Sequence, residues 1–120
     1  MNWHFESDRP IYLQLKEQIL LQIVSGSYPA GSRLPPVRDM AAEASVNPNT
    51  LQKALSELER DGIVYAQRTS GRFVTEDEKM IAQAKEALAS EQLELFLKKM
   101  AALGYTRAET LALINKKAKE

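Results

Sequence analysis

The chain has 120 residues, 44% of them hydrophobic and 27% charged, a composition that fits one or two small globular domains. It has no cysteine, which excludes a disulfide framework, thiolate metal ligands and thiol nucleophiles. Its 16 basic and 16 acidic residues give zero net charge, so any contact with a polyanion must rest on the local distribution of charge.

Three helices are predicted in the first half of the chain. The first covers residues 10–24, where apolar residues recur on one helical face and a proline suits the first turn. The second covers residues 35–44. The third has Asn47 as its N-cap and Pro48 at its first helical position, and Asp61–Gly62 ends it. Its buried stripe is expected to be Leu51, Ala54, Leu55 and Leu58.

A β-hairpin is predicted after the third helix. Two strand-like stretches, residues 63–67 and 72–75, flank a loop that contains Thr69, Ser70 and Gly71. Three helices followed by a hairpin is the order of elements in a winged helix. The short connection between the second and third helices suits a helix-turn-helix.

Two more helices are predicted after the hairpin. Thr75 with Glu78 matches a capping box that opens a long helix, and Thr106 with Glu109 matches a second that opens a short one. The apolar residues of the short helix expected to face inward are Leu111, Ile114 and Ala118. The predicted fold class is therefore mostly α (α+β), a winged helix-turn-helix domain followed by a two-helix tail.

Four blocks of sequence carry a family resemblance. They are PIYLQL at 10–15, GSYPAGSRLPPVRDMA at 26–41, VNPNTLQKALSELERDGIV at 46–64 and SGRFV at 70–74. In this order they resemble the GntR family of bacterial transcription regulators, and the VNPNT block with the short tail is most similar to the YtrA-type subfamily. The resemblance implies a homodimeric winged-helix repressor of double-stranded operator DNA. It also implies a DNA-binding domain over residues 9–77 and a short helical dimerisation domain over residues 78–120.

Arg38 is the residue of the second helix for which the resemblance implies a DNA contact. It lies at the position of the basic residue in the family's L-P-S-x-R motif, and a guanidinium can hold a phosphate or a guanine edge through two hydrogen bonds. Pro36 stands where the family usually has the serine, so a hydroxyl contact is lost. The alternative is a surface ion pair of Arg38 with Asp39 or Glu43.

The third helix is expected to enter the major groove, because its first residues are short and polar. Its residues expected to contact DNA are Asn47, Asn49, Thr50, Gln52 and Lys53. Asparagine and glutamine can pair with adenine, and lysine reaches guanine or phosphate. Many family members carry an arginine where Pro48 stands and another where Gln52 stands, so their base contacts do not carry over directly. The alternative is capping for Asn47 and solvation for the rest.

The loop of the hairpin is the second predicted point of contact with DNA. It matches the wing tip of the family, and a glycine-bearing loop with cations can approach a groove closely. The residues concerned are Arg68, Thr69, Gly71 and Arg72. A plain hairpin with solvated arginines is the alternative.

The tail is expected to hold two copies of the chain together. A helix from Asp77 to Leu103 would extend roughly 40 Å, more than a short companion helix can cover. Its apolar residues occupy more than one stripe, and exposed apolar surface on this scale is uncommon in a monomer. The predicted dimerisation residues are Ile81, Ala84, Leu88, Leu95, Leu97, Met100, Leu111 and Ile114.

Nothing in the sequence points to catalysis or to a cofactor. His4 is the only histidine, and there is no phosphate-binding glycine loop, so we expect no enzyme activity, cofactor or metal. Without an apolar run of roughly 20 residues or a signal-peptide core, the chain is expected to be cytoplasmic, nucleoid-associated and without membrane contact. An unknown small effector would bind at a subunit interface or against the DNA-binding domain. The rival interpretation is a winged helix that binds an acidic protein partner.

Overall fold

The computed structural model describes residues 3–120, and the chain divides after Lys85 into two compact units. The elements in chain order are α1 (Ile11–Val24), α2 (Val37–Ala44), α3 (Pro48–Arg60), β1 (Val64–Gln67), β2 (Gly71–Val74), α4 (Glu78–Ala102) and α5 (Arg107–Ala118). The predicted order of three helices, a hairpin and two helices is confirmed, as is the mostly helical fold class.

Helices α1, α2 and α3 enclose the core of the first unit. Leu15 and Ile19 of α1 and Met40 of α2 are buried there, because apolar residues three or four positions apart share one helical face. The predicted stripe of α3 is confirmed, since all of its members are buried. They are Leu51, Ala54, Leu55 and Leu58.

Two glutamines of α1 hold the N-terminal segment through its backbone. The buried Gln14 amide accepts a hydrogen bond from the Glu6 N–H at 2.7 Å and donates to the carbonyls of Glu6 and Arg9 at 2.8 and 2.9 Å. One turn later, the Gln18 amide pairs with the N–H and carbonyl of His4 at 3.2 and 2.6 Å. The backbone of the segment is thus held by two side chains of α1, while Trp3 and Phe5 of the segment pack against the core.

A short turn joins α2 to α3. Ser45 ends α2 in the left-handed region at φ 57, and its N–H bonds back to the helix. The Asn47 side chain accepts a hydrogen bond from the Asn49 N–H at 2.8 Å, with Pro48 in the first turn of α3. The predicted N-cap and first helical residue of α3 are therefore confirmed.

Strands β1 and β2 pair antiparallel, and Val64 lies opposite Val74. Both valines are buried against the helices, whereas Tyr65 and Phe73 point to the other face and stack with ring centroids 5.7 Å apart. The strands differ from the predicted ranges only at their ends.

The segment before α2 runs along the free edge of β2. The Leu34 N–H donates to the Arg72 carbonyl at 2.9 Å, and the Val74 N–H donates to the Ser32 carbonyl at 2.8 Å. Between them, Arg33 forms a bridge with Phe73. These bonds tie the hairpin to the start of the helix-turn-helix.

Helix α4 begins with an aspartate cap. The Asp77 carboxylate accepts hydrogen bonds from the N–H groups of Lys79 and Met80 at 3.0 and 3.2 Å. The Thr75 hydroxyl accepts instead from the Asp77 N–H at 3.1 Å. The predicted capping box of Thr75 with Glu78 is therefore wrong. A charged carboxylate next to the helix satisfies the free N–H groups better than a more distant hydroxyl.

The first turns of α4 belong to the first unit. Met80, Ile81 and Ala84 are half-buried and pack against its core. The compact unit thus extends past Asp77, the predicted end of the DNA-binding domain.

The second unit contains the remainder of α4 and all of α5. The predicted capping box of α5 is confirmed: the Glu109 N–H donates to the Thr106 hydroxyl at 3.1 Å, and the Thr106 N–H donates to the Glu109 carboxylate at 2.9 Å. Hydrogen bonding to the Glu109 carboxylate, first from the backbone N–H of Thr106 and then from its side chain, holds the pKa of Glu109 below its ordinary value.

The inward face of α5 differs from the prediction. Thr110 is the buried residue, and its hydroxyl donates to the Thr106 carbonyl at 2.9 Å. Leu111 and Ile114 are 59% and 42% exposed, and Ala118 is also exposed, so their predicted burial within one chain is wrong. Apolar residues occur on several faces of this short helix, and their spacing alone could not choose among them.

Candidate nucleic-acid interface

Helix α3 presents a polar face to solvent, opposite its buried stripe. The predicted contact residues on this face are exposed, except that Thr50 is half-buried. They are Asn47, Asn49, Thr50, Gln52 and Lys53. Short side chains in the first turn leave the helix end accessible, which is the geometry that a helix needs to enter a major groove.

Arg38 projects from the outer side of α2. Its neighbour Met40 is buried, whereas Arg38 itself is exposed. Within residues 3–120 the guanidinium forms no ion pair with Asp39 or Glu43, and Glu43 accepts a hydrogen bond from the Trp3 indole at 3.3 Å. The alternative interpretation, in which Arg38 forms a surface ion pair, therefore does not describe the structure.

Lys53 stands over the ring of Tyr12, a residue of α1. Its Nζ lies 3.8 Å from the ring centroid, a cation–π contact that restrains the ammonium group where α1 meets α3. No carboxylate of the described residues neutralises it. Lys53 therefore keeps its charge available for a phosphate.

The tip of the hairpin is open to solvent. Arg68 and Thr69 are exposed there, and Gly71 has a φ of +103, which disfavours any residue with a side chain. A Cβ on Gly71 would lie 3.2 Å from the Nε of Arg33. The glycine thus makes room for a second arginine beside the wing.

Arg33 is a candidate contact residue that sequence reasoning missed. It is exposed and pairs with the edge of β2, so it lies beside the wing although it is distant in sequence. Its position directly before the Leu-Pro-Pro of the second sequence block was the available signal.

Arg72 differs from the other predicted contacts because its side chain is already engaged. Its Nε donates to the carboxylate of Glu59, and its Nη1 donates to Gln52 Oε1 at 3.4 Å. Both partners lie on α3. The contact of Arg72 with DNA remains a prediction. To reach a phosphate, Arg72 would have to leave these partners.

The cations between residues 3 and 75 fall into two groups. The first group is paired with carboxylates: Arg9 with Glu17, Lys16 with Asp61, Arg60 with Glu57, and Arg72 with Glu59. The second group, which we call the unpaired cations, is Arg33, Arg38, Lys53 and Arg68. All four unpaired cations lie in the helix-turn-helix, in the wing or directly beside them, so zero net charge coexists with local positive charge.

The predicted dimerisation residues fall in both units. Ile81 and Ala84 pack on the core of the first unit, which accounts for their apolar character without a second chain. In the second unit, Leu88, Leu97 and Met100 are half-buried, and the most exposed members are Leu95, Leu111 and Ile114. Their role at an interface remains a prediction.

An open apolar groove of about 550 Å³ lies between α4 and α5 within the second unit. Its lining includes Phe96, Met100, Leu113, Ile114 and Lys117. Among residues 3–120, no group of three or more histidine or acidic side chains is placed to hold a metal ion. In the same part of the chain, no helix combines the length and hydropathy required to span a bilayer.

A three-helix core with a short turn between α2 and α3, followed by an antiparallel hairpin with an exposed basic tip, defines a winged helix-turn-helix protein. The model of the family described as "Bacterial regulatory proteins, gntR family" matches residues 11–74. The chain therefore belongs to the gntR family of bacterial regulatory proteins, as its sequence blocks predicted.

Two bacterial regulators extend this similarity over most of the chain. It is 43% identical over 111 residues to the uncharacterized HTH-type transcriptional regulator YhcF of Bacillus subtilis, with 92% of each chain covered. It is 37% identical over 89 residues to the HTH-type transcriptional repressor YtrA of the same organism, covering 73% of this chain and 68% of YtrA. The resemblance to YtrA is thereby confirmed, and these relatives are named as regulators rather than enzymes.

Solved structures show the same architecture. A GntR family transcriptional regulator from Listeria monocytogenes matches with a TM-score of 0.85 and 38% identity, covering 93% of this chain and 98% of that one. The AraR(DBD) chain in complex with operator ORR3 matches with a TM-score of 0.55 and 27% identity, covering 62% of this chain and 90% of that one.

Proposed function

We propose that this protein binds double-stranded operator DNA as a homodimer and represses transcription by occluding a promoter. The observation that carries the proposal is the location of the unpaired cations on the helix-turn-helix and beside the wing. Cations without an internal carboxylate partner gain most from neutralising phosphates, because bound counterions are then released. The repressor YtrA and the operator complex of AraR(DBD) support the same function.

In the proposed complex, α3 lies in the major groove and the wing follows the adjacent backbone. Asn49, Thr50 and Gln52 would reach base edges, whereas Arg38 would hold a phosphate or a guanine at the entrance to the groove. Arg68 at the wing tip and Arg33 beside it would contact phosphates. Because the proposed partner is chromosomal DNA, the protein would be located at the nucleoid.

The two-helix tail would supply the contact between two copies. Leu95, Leu111 and Ile114 expose apolar surface in the single chain, which a second copy would cover. We assign DNA binding to residues 9–77 and dimerisation to residues 78–120. A two-fold axis would then place two α3 helices on an inverted repeat, with half-sites about one helical turn or more apart.

A small effector, if one acts, would bind where two subunits meet or against the DNA-binding domain. The groove between α4 and α5 is open along its length and does not enclose a ligand within one chain. An interface site would allow an effector to change the spacing of the two α3 helices.

Selection of bound duplexes from a random DNA library, followed by titration of the enriched sequence, tests the proposed function. We expect an inverted repeat, saturable binding, and an affinity that falls as salt rises. Light scattering of the same sample should give a dimer. Failure to enrich any sequence, together with capture of an acidic protein partner, would favour the rival protein-interaction module.

A further inference from the structure

We propose, on the basis of the proposed function, that Arg72 is a positioning residue: Glu59 holds it away from the DNA phosphates, and it orients Gln52 on α3. The sequence places Arg72 in the wing among cations expected to touch DNA. Three observations give it a different role, namely its face of the hairpin, its two partners and its burial.

The strand geometry directs Arg72 toward α3. Successive side chains of a strand point to opposite faces, so Arg72 shares its face with Val74, two residues later. Val74 is fully buried against the helices. Arg72 therefore leaves the hairpin on the core side, whereas Phe73 stacks with Tyr65 on the opposite side.

Both partners of Arg72 are side chains of α3. The Nε of Arg72 donates to the Glu59 carboxylate, and Nη1 donates to the Gln52 amide oxygen at 3.4 Å. The side chains of Arg72 and Glu59 are 17% and 30% exposed, so solvent screens this pair less than a surface pair. Moving Arg72 to a phosphate would leave the Glu59 carboxylate without its cation in that partly buried place. The charge of Arg72 is therefore already neutralised within the chain.

The contact with Arg72 fixes which end of the Gln52 amide is free. Oxygen Oε1 accepts from Arg72, so the Nε2 group, which carries two donors, turns away from the wing. Guanine presents two acceptors in the major groove, whereas bidentate pairing with adenine needs the amide oxygen as an acceptor as well. Gln52 oriented in this way favours a guanine over the adenine that a free glutamine prefers.

Salt dependence of binding separates a positioning arginine from one that contacts phosphate. Titrations of an unrelated duplex at several salt concentrations give the slope of log affinity against log salt. Replacing a phosphate-contacting cation reduces this slope by about one unit. We expect Arg68→Met to show that reduction and Arg72→Met to leave the slope unchanged.

Freeing Arg72 from Glu59 should change the salt dependence of binding in the direction opposite to that expected for Arg68→Met. Glu59→Gln frees the guanidinium for a phosphate, so we expect the slope to steepen by about one unit. Glu57→Gln is the matched control, because it removes the same charge from the same helix but its partner is Arg60. The double variant Glu59→Gln with Arg72→Met should return the slope to that of the wild type.

Base preference tests the link to Gln52. Library selections with Gln52→Ala and Arg72→Met should lose discrimination at the same base pair, and the double variant should lose no more than either single one. Arg68→Met should leave that preference intact. Loss at different positions, or additive losses, would overturn the orientation of Gln52 by Arg72.

The outcomes distinguish this inference from the proposed function. If the wild type binds no duplex, the proposed function fails and this inference fails with it. If the wild type binds and Arg72→Met reduces the salt slope as Arg68→Met does, only this inference is overturned, and Arg72 is a phosphate contact.

Discussion

Arg38 combines an exposed guanidinium with a backbone position that the core fixes through Met40. Arg38→Ala should weaken operator binding by more than about tenfold, because one bidentate contact is worth about 1–3 kcal/mol. The fold should be retained, since the side chain is exposed. Fluorescence anisotropy with a labelled operator measures the change.

Arg60→Ala is the control for this experiment, because Arg60 is an exposed arginine of α3 that is already paired with Glu57. Its affinity should stay close to that of the wild type. Equal binding by Arg38→Ala and the wild type at moderate salt would remove Arg38 from the interface.

Gln14 is the polar residue on which the N-terminal segment depends. Gln14→Leu removes three hydrogen bonds and leaves the backbone groups of Glu6 and Arg9 without partners. The free energy of unfolding should fall by about 1–3 kcal/mol, as measured by urea denaturation. Gln18→Leu should cost less, because Gln18 is only half-buried and water can replace its bonds. Equal losses in the two variants would show that burial does not set the difference.

Residues with local partners were predictable from the sequence, whereas residues with distant partners were not. Asn47 caps α3 through a bond two residues away, so its spacing alone revealed its role. The roles of Gln14 and Arg72 depend on partners in other segments of the chain, which only the fold brings near. Arg72 was predicted to contact DNA, and its partner Glu59 could be found only from the packing of the wing on α3.

At the scale of elements, burial determined how much the sequence could reveal. Helix α3 packs on the core with one clear apolar stripe, and both its cap and its buried face were predicted correctly. In α4, Asp77 precedes the helix among several acids, and the threonine before them was mistaken for the cap. In α5 the apolar residues spread over several faces, so Leu111 was placed inside although it is exposed.

The cap of α5 should make this helix sensitive to acid. The hydrogen bonds from Thr106 lower the pKa of Glu109, so its contribution to stability is present above the ordinary pKa of glutamate and is lost as the pH falls through the lowered pKa. Amide protection in α5 should therefore decrease over this range more than protection in α3. In Glu109→Ala the protection should be lower at neutral pH and the additional acid loss should vanish. An unchanged acid transition in that variant would assign the sensitivity to another group.

For the whole molecule, an overall charge of zero conceals an uneven distribution. Between residues 3 and 75, internal ion pairs neutralise Arg9, Lys16, Arg60 and Arg72, and the unpaired cations of that segment lie at the proposed interface. The sum of charges was therefore a poor guide to the partner, whereas the order of elements and the sequence blocks predicted the family correctly. Pairing between side chains depends on the fold, so composition could not reveal it.

The division of the molecule into two units predicts where it can be cut. Met80, Ile81 and Ala84 pack against the core of the first unit, so a chain that ends at Lys85 should stay folded. A chain that ends at Thr75 loses those contacts and should be less stable by about 1–3 kcal/mol, which urea denaturation measures.

The chain ending at Lys85 lacks the exposed apolar residues of the second unit and should be monomeric by light scattering. Its operator affinity should fall by a factor on the order of 100 or more, because the two half-sites are no longer bound by linked domains. A dimer formed by that shorter chain, or a full-length monomer at micromolar concentration, would contradict the assignment of dimerisation to the tail.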